Sequence, residues 1–136
     1  MGATVSAIRI AIAQSLSIIP GLRTSDFVPD NPSPPMAVVE PTTIDYDQTF
    51  GRGLDSLNFT INVVVGRVSD RVAQNELDSY INSSGDKSVK RAVELDRTLG
   101  GLVQDCRVTG LTSYGSVSIG DNTYLSAEFA VRVYSN

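Results

Sequence analysis

The stretch Ser56–Gly66 constrains this chain more than any other. Leu57, Phe59, Ile61, Val63 and Val65 fall on one parity and Asn58, Thr60 and Asn62 on the other, the period of a strand covered on one face. Burying those side chains contributes roughly 1.5–3 kcal/mol each. Fixing the backbone costs about 1–2 kcal/mol per residue, so the strand requires sheet neighbours and a covering layer of helices.

The rest of the chain supplies both. Thr4 is placed to cap a helix in which Val5, Ile8, Ala11, Ile12, Leu16 and Ile19 recur at three- and four-residue spacing, and Pro20-Gly21 stops it. Leu22–Val28 reads as a short strand, followed by a proline-rich loop through Pro35. Ala37–Glu40 resumes as a strand that Pro41 ends or marks as an edge, and Thr43–Asp47 is a further extended piece. Gln48–Asp55 is a projecting loop whose apolar Phe50 and Leu54 are either tucked beneath it or held for a neighbouring chain.

A second helix starts at Ser69-Asp70 and carries Ala73, Leu77, Tyr80 and Ile81 on one stripe. A third begins near Ser88, with Lys90 and Glu94 paired on its surface and Val89, Ala92, Val93 or Leu95, and Leu99 inward, closing at Gly100-Gly101. Leu102–Ser118 is a strand in which Gly110 and Gly115 signal a bulge or bend, and Gly120-Asp121-Asn122 turns it into Tyr124–Tyr134. In that last strand Leu125, Ala127, Phe129, Val131 and Val133 form the apolar parity. The expected fold is one α+β domain over residues 1–136, a mostly antiparallel, mixed sheet packed by an N-terminal helix and two central helices. The two long alternating strands, from Ser56 and from Tyr124, can leave a free edge or a second apolar contact zone, such as Val64, Ala130 and Tyr134 on the nominally polar parity.

Chemistry is sparse. The chain has no histidine, which removes Ser-His-Asp and Cys-His nucleophiles and histidine-ligated metals. Asp45 and Asp47 could share a strand face, but nothing nearby completes a metal shell. Gly51-Arg52-Gly53 precedes a strand instead of leading into a helix and lacks the phosphate-loop lysine. Cys106, the single cysteine, reads as a small core hydrophobe and excludes an intrachain disulfide. No enzymatic activity and no cofactor are expected. A net charge of −4 argues against tight, sequence-independent binding to nucleic acid. Arg52, Arg67 and Arg71 can form a basic patch between the loop and the second helix, and equally can be ordinary surface charges or inter-subunit partners for carboxylates, the last two favoured over nucleic acid by the acidic balance of the chain. The apolar run Ala7–Ile19 is interrupted by Arg9, Gln14, Ser15 and Ser17, so neither a signal peptide nor a membrane span is expected.

Several segments together carry a likeness to a known family. They are Ile18-Ile19-Pro20-Gly21-Leu22, Pro34–Val39, Thr49–Asp55, Ser69-Asp70-Arg71, Asp96–Val103 and Tyr124–Phe129, spread over nearly the whole chain. In their order and setting the chain resembles the tail-terminator proteins of long-tailed bacteriophages, in particular those infecting actinobacterial hosts. The resemblance implies a virion structural protein, assembled in the host cytoplasm and sited at the head-proximal end of the tail. It implies a ring, usually a hexamer, that caps the tail tube, stops its polymerisation and meets the head-side connector while DNA passes through the bore without specific binding. Beside that family expectation, Phe50, Arg52, Leu54, Arg67 and Arg71 are candidates for inter-subunit or tube contact. The competing readings are a head-to-tail stopper or adaptor, a tail tube subunit, and a small-ligand-binding α+β domain.

Overall fold

The computed structural model describes residues 4–19, 22–25, 35–45, 55–67, 71–82, 85–119 and 122–135. In chain order these form α1 (Val5–Leu16), β1 (Arg23–Ser25), β2 (Met36–Asp45), β3 (Asp55–Arg67), α2 (Arg71–Ile81), α3 (Val89–Glu94), β4 (Asp105–Ile119) and β5 (Asn122–Ser135). The strands make one mixed sheet in the order β1-β2-β3-β5-β4. Only β1 and β2 run parallel; the other neighbours are antiparallel. The fold is therefore α+β, with β3 at its centre.

Alternation decides which face of the sheet is covered. Leu57, Phe59, Ile61, Val63 and Val65 of β3 all lie in one buried cluster with Ala127, Phe129, Val131 and Val133 of β5. The register sets Ile61 between Val39 and Phe129, and Val63 between Ala37 and Ala127. Onto this face the helices bring Ile8, Ile12 and Leu16 of α1, Leu77 and Tyr80 of α2, and Val89, Ala92 and Val93 of α3. Two of those helices have the caps their sequences call for: Thr4 Oγ1 accepts the Ala7 N–H at 3.1 Å, and Ser88 Oγ accepts the Arg91 N–H at 3.1 Å.

Three departures from the sequence reading have physical causes. First, β2 runs unbroken through Pro41 and joins the two pieces expected on either side of it. β1 pairs β2 only over Met36–Val38, so at Pro41 that side of β2 has no ladder partner among the described residues, the edge setting in which a strand tolerates proline. The register with β3 shifts between Pro41 and Thr43. Secondly, α3 ends at Glu94 and does not reach Gly100; Leu95 is 59% exposed and Val93 is the inward residue.

Leu99 does face inward, but from a turn. Its φ is 52°, and Gly100 and Gly101 follow at 73° and 89°. A left-handed leucine costs about 1–2 kcal/mol, which burial of its side chain to 8% exposure offsets. Thirdly, the second apolar zone on the sheet's other face is built from Met36, Val38, Val64 and Tyr124, all buried; Ala130 and Tyr134 are only half-buried.

Candidate assembly surface

Among the described residues β4 is the last strand of the sheet, with β5 alone beside it. Its inner half obeys simple alternation: Cys106 faces Val133 and Val108 faces Val131 on the core side. Burial, with Asp105 and Glu94 nearby, pushes the Cys106 thiol up to about 12, so it stays protonated and behaves as a core hydrophobe. The register then slips twice, between Val108 and Gly110 and between Leu111 and Ser113. Each slip inserts a threonine whose hydroxyl donates to a β5 carbonyl: Thr109 to Ala130 at 3.3 Å and Thr112 to Glu128 at 3.2 Å. Two added residues return Leu111 opposite Phe129 and Tyr114 opposite Ala127, both on the helix side.

The inner end of this margin is covered by α3 and the turn after it. Glu94 Oε2 accepts the Val108 N–H at 3.0 Å and also holds Lys90 Nζ at 2.6 Å. Arg97 Nε pairs with Asp105 Oδ1 at 2.9 Å. The turn itself is tied by Asp96, whose carboxylate accepts the Thr98 hydroxyl at 2.8 Å and the N–H groups of Gly100 and Thr98 at 2.9 and 3.1 Å. Those bonds, the Thr98 hydroxyl foremost, hold the Asp96 carboxyl below the usual carboxylate range.

Beyond Val108 the cover changes. Leu111 and Tyr114 are 43% and 41% exposed. Tyr114 Oη donates to Asp78 Oδ1 of α2 at 3.2 Å, and Gln74 of the same helix is also within hydrogen-bonding reach of it. Ile81, Lys90, Val108, Gly110, Leu111 and Phe129 line an open hollow of about 190 Å³ between the strand and the ends of α2 and α3. From Val108 to Ile119 the sequence has no charged residue and no proline. Lysines, prolines and inward charges are the usual means of keeping an edge strand from pairing with another chain, and among the described residues of this stretch the two bulges serve that purpose.

Of the contact candidates from sequence, Phe50, Arg52 and Leu54 lie outside the described residues. Arg67 closes β3 and Arg71 opens α2, and the described features of their elements end at the backbone there. Asp45 is the last residue of β2, while Asp47 lies outside the described residues. Among the described residues no group of three or more Cys, Asp or Glu side chains could hold a metal ion. No helix among them is long and apolar enough to cross a membrane.

The free edge allowed for on the two long alternating strands is not there, since β3 and β5 are interior strands; among the described residues the long margin belongs to β4, which the sequence reading did not single out. The signal was present in the charge-free run Val108–Ile119, but an edge position is a property of strand order, which local pattern does not reveal. No protein-family model and no curated protein matches the chain.

Proposed function

We propose that this chain is a virion structural protein that acts as a tail terminator: copies close into a ring on the finished tail tube, halt its growth and present a surface to the head-side connector. The observation that carries the reading is the long margin of β4, free of charge from Val108 to Ile119, on a sheet whose strand at the opposite end, β1, is three residues long. Such a margin suits a protein that finishes its fold against other chains. The acidic balance of the chain, 15 Asp and Glu against 11 Lys and Arg, suits a bore through which DNA slides without sticking. Phe50, Arg52, Leu54, Arg67 and Arg71 are the proposed contacts to sister copies or to the tube.

Copy number tests this reading. Quantitative mass analysis of purified particles should find a handful of copies for each tail. An abundance equal to that of the principal tail protein would make the chain a tube subunit instead. The contact role is tested by Phe50→Ala combined with Leu54→Ala, which should leave the domain folded and lower the yield of complete tails. An unchanged infectious titre would count against it.

A further inference from the structure

We infer that the free chain forms a two-fold dimer by antiparallel pairing of the outer half of β4 with the same segment of a second copy. The inference goes beyond the tail reading, because it concerns the protein before any assembly. The bulges at Thr109 and Thr112 disturb the margin up to that point. From Ser113 to Ile119 the register with β5 is regular, so the outward side of that segment is a straight ladder edge. Among the described residues no side chain reaches its backbone as Glu94 reaches Val108.

A second copy is the partner that this segment fits. Two identical strands laid antiparallel oppose Ser113 with Ile119, Tyr114 with Ser118, Gly115 with Val117, and Ser116 with itself on the axis. Like charges opposite one another are what make self-pairing unfavourable, and the segment contains no charge at all. Among the described residues the other side of the sheet offers Arg23–Ser25 and, beyond it, Val39–Asp45 of β2, which carries Glu40, Pro41 and Asp45, so the longest edge free of charge and proline for β4 to pair with is another β4. Ser116 and Ser118 are exposed and on the helix side with Tyr114, where opposed hydroxyls can bond across the axis.

A short ladder of this kind buries on the order of 1,000 Å² in total, at the small end for specific interfaces. The dimer is therefore weak and opens readily. Pairing about a two-fold excludes a cyclic contact through the same margin, so the dimer is a resting form that gives way on assembly.

Sedimentation velocity of the full chain from about 1 to 100 µM should show monomer giving way to dimer as concentration rises. Ser116→Lys sets two ammonium groups against each other on the axis and should leave a monomer with unchanged circular dichroism and melting temperature. Ser116→Cys should form an intermolecular disulfide on mild oxidation, whereas Thr123→Cys on β5 should not. Cys106 is buried and does not compete. A monomer across the whole range, association that Ser116→Lys leaves intact, or equal cross-linking at both positions would overturn the inference. A strictly monomeric chain leaves the tail reading standing, since that reading is judged on particles.

Discussion

At the scale of single residues, the structure concentrates its polar investments around the turn that leads into β4. Glu94 serves a lysine and a strand N–H with one carboxylate oxygen, so Glu94→Ala should destabilise the domain by about 1 kcal/mol in urea unfolding. Glu94→Gln should recover part of that loss. Asp96 is held below the usual carboxylate range, so its bonds stabilise the fold above the unfolded carboxylate pKa, and that contribution is lost as pH falls through the lower folded value. The melting temperature of Asp96→Ala should therefore lie below that of the parent at neutral pH and converge with it in strong acid; a constant gap would deny the ionised carboxylate its role. Tyr80 differs in kind. It is buried, its hydroxyl meets Glu76 Oε1 at 3.2 Å, and burial with that carboxylate raises its pKa, so no phenolate forms in the neutral range.

At the scale of elements, the two threonine bulges decide where β4 points its apolar side chains. Thr109→Val and Thr112→Val keep shape but delete the hydroxyls that bond β5 carbonyls, and each should cost about 0.5–1.5 kcal/mol. Deleting Thr112 outright removes the extra residue and leaves Ser113 opposite Glu128 and Tyr114 opposite Ala127 in an unbroken ladder, so it should cost no more than Thr112→Val. A deletion that lowers the denaturation midpoint far beyond Thr112→Val would contradict the bulge assignment. The alternation of β3 and β5 was legible from sequence because strand parity maps directly onto the two faces of a sheet. Gly110 marked the first slip correctly, but Gly115 lies in regular ladder and the second slip falls at Thr112. A bulge there is stabilised by a cross-strand bond to Glu128 O, and no one-dimensional pattern contains that bond. The end of α3 was misjudged for a related reason: Leu99 keeps the inward position a longer helix would have given it, while Asp96 and two glycines replace the helix by a left-handed turn. The candidate contacts were read from composition alone, and strand order supplied the margin that composition could not.

At the scale of the whole molecule, three helices seal one face of a five-stranded sheet, while its two edges are treated differently. The β1 strand is short; the β4 edge is long, covered by Glu94 and Arg97 at one end and, among the described residues, open over the other. A solitary protein with that margin is exposed to unwanted pairing, and a protein that assembles has a use for it. In the proposed ring the margin would be completed by sister copies, with Phe50, Arg52 and Leu54 as the further proposed contacts, and the tube end would be closed to further subunits. Electron microscopy of particles assembled without this protein tests that account most directly. Tails that run on beyond their normal length with ragged ends are the predicted result, and tails of normal, uniform length in the absence of the chain would contradict it.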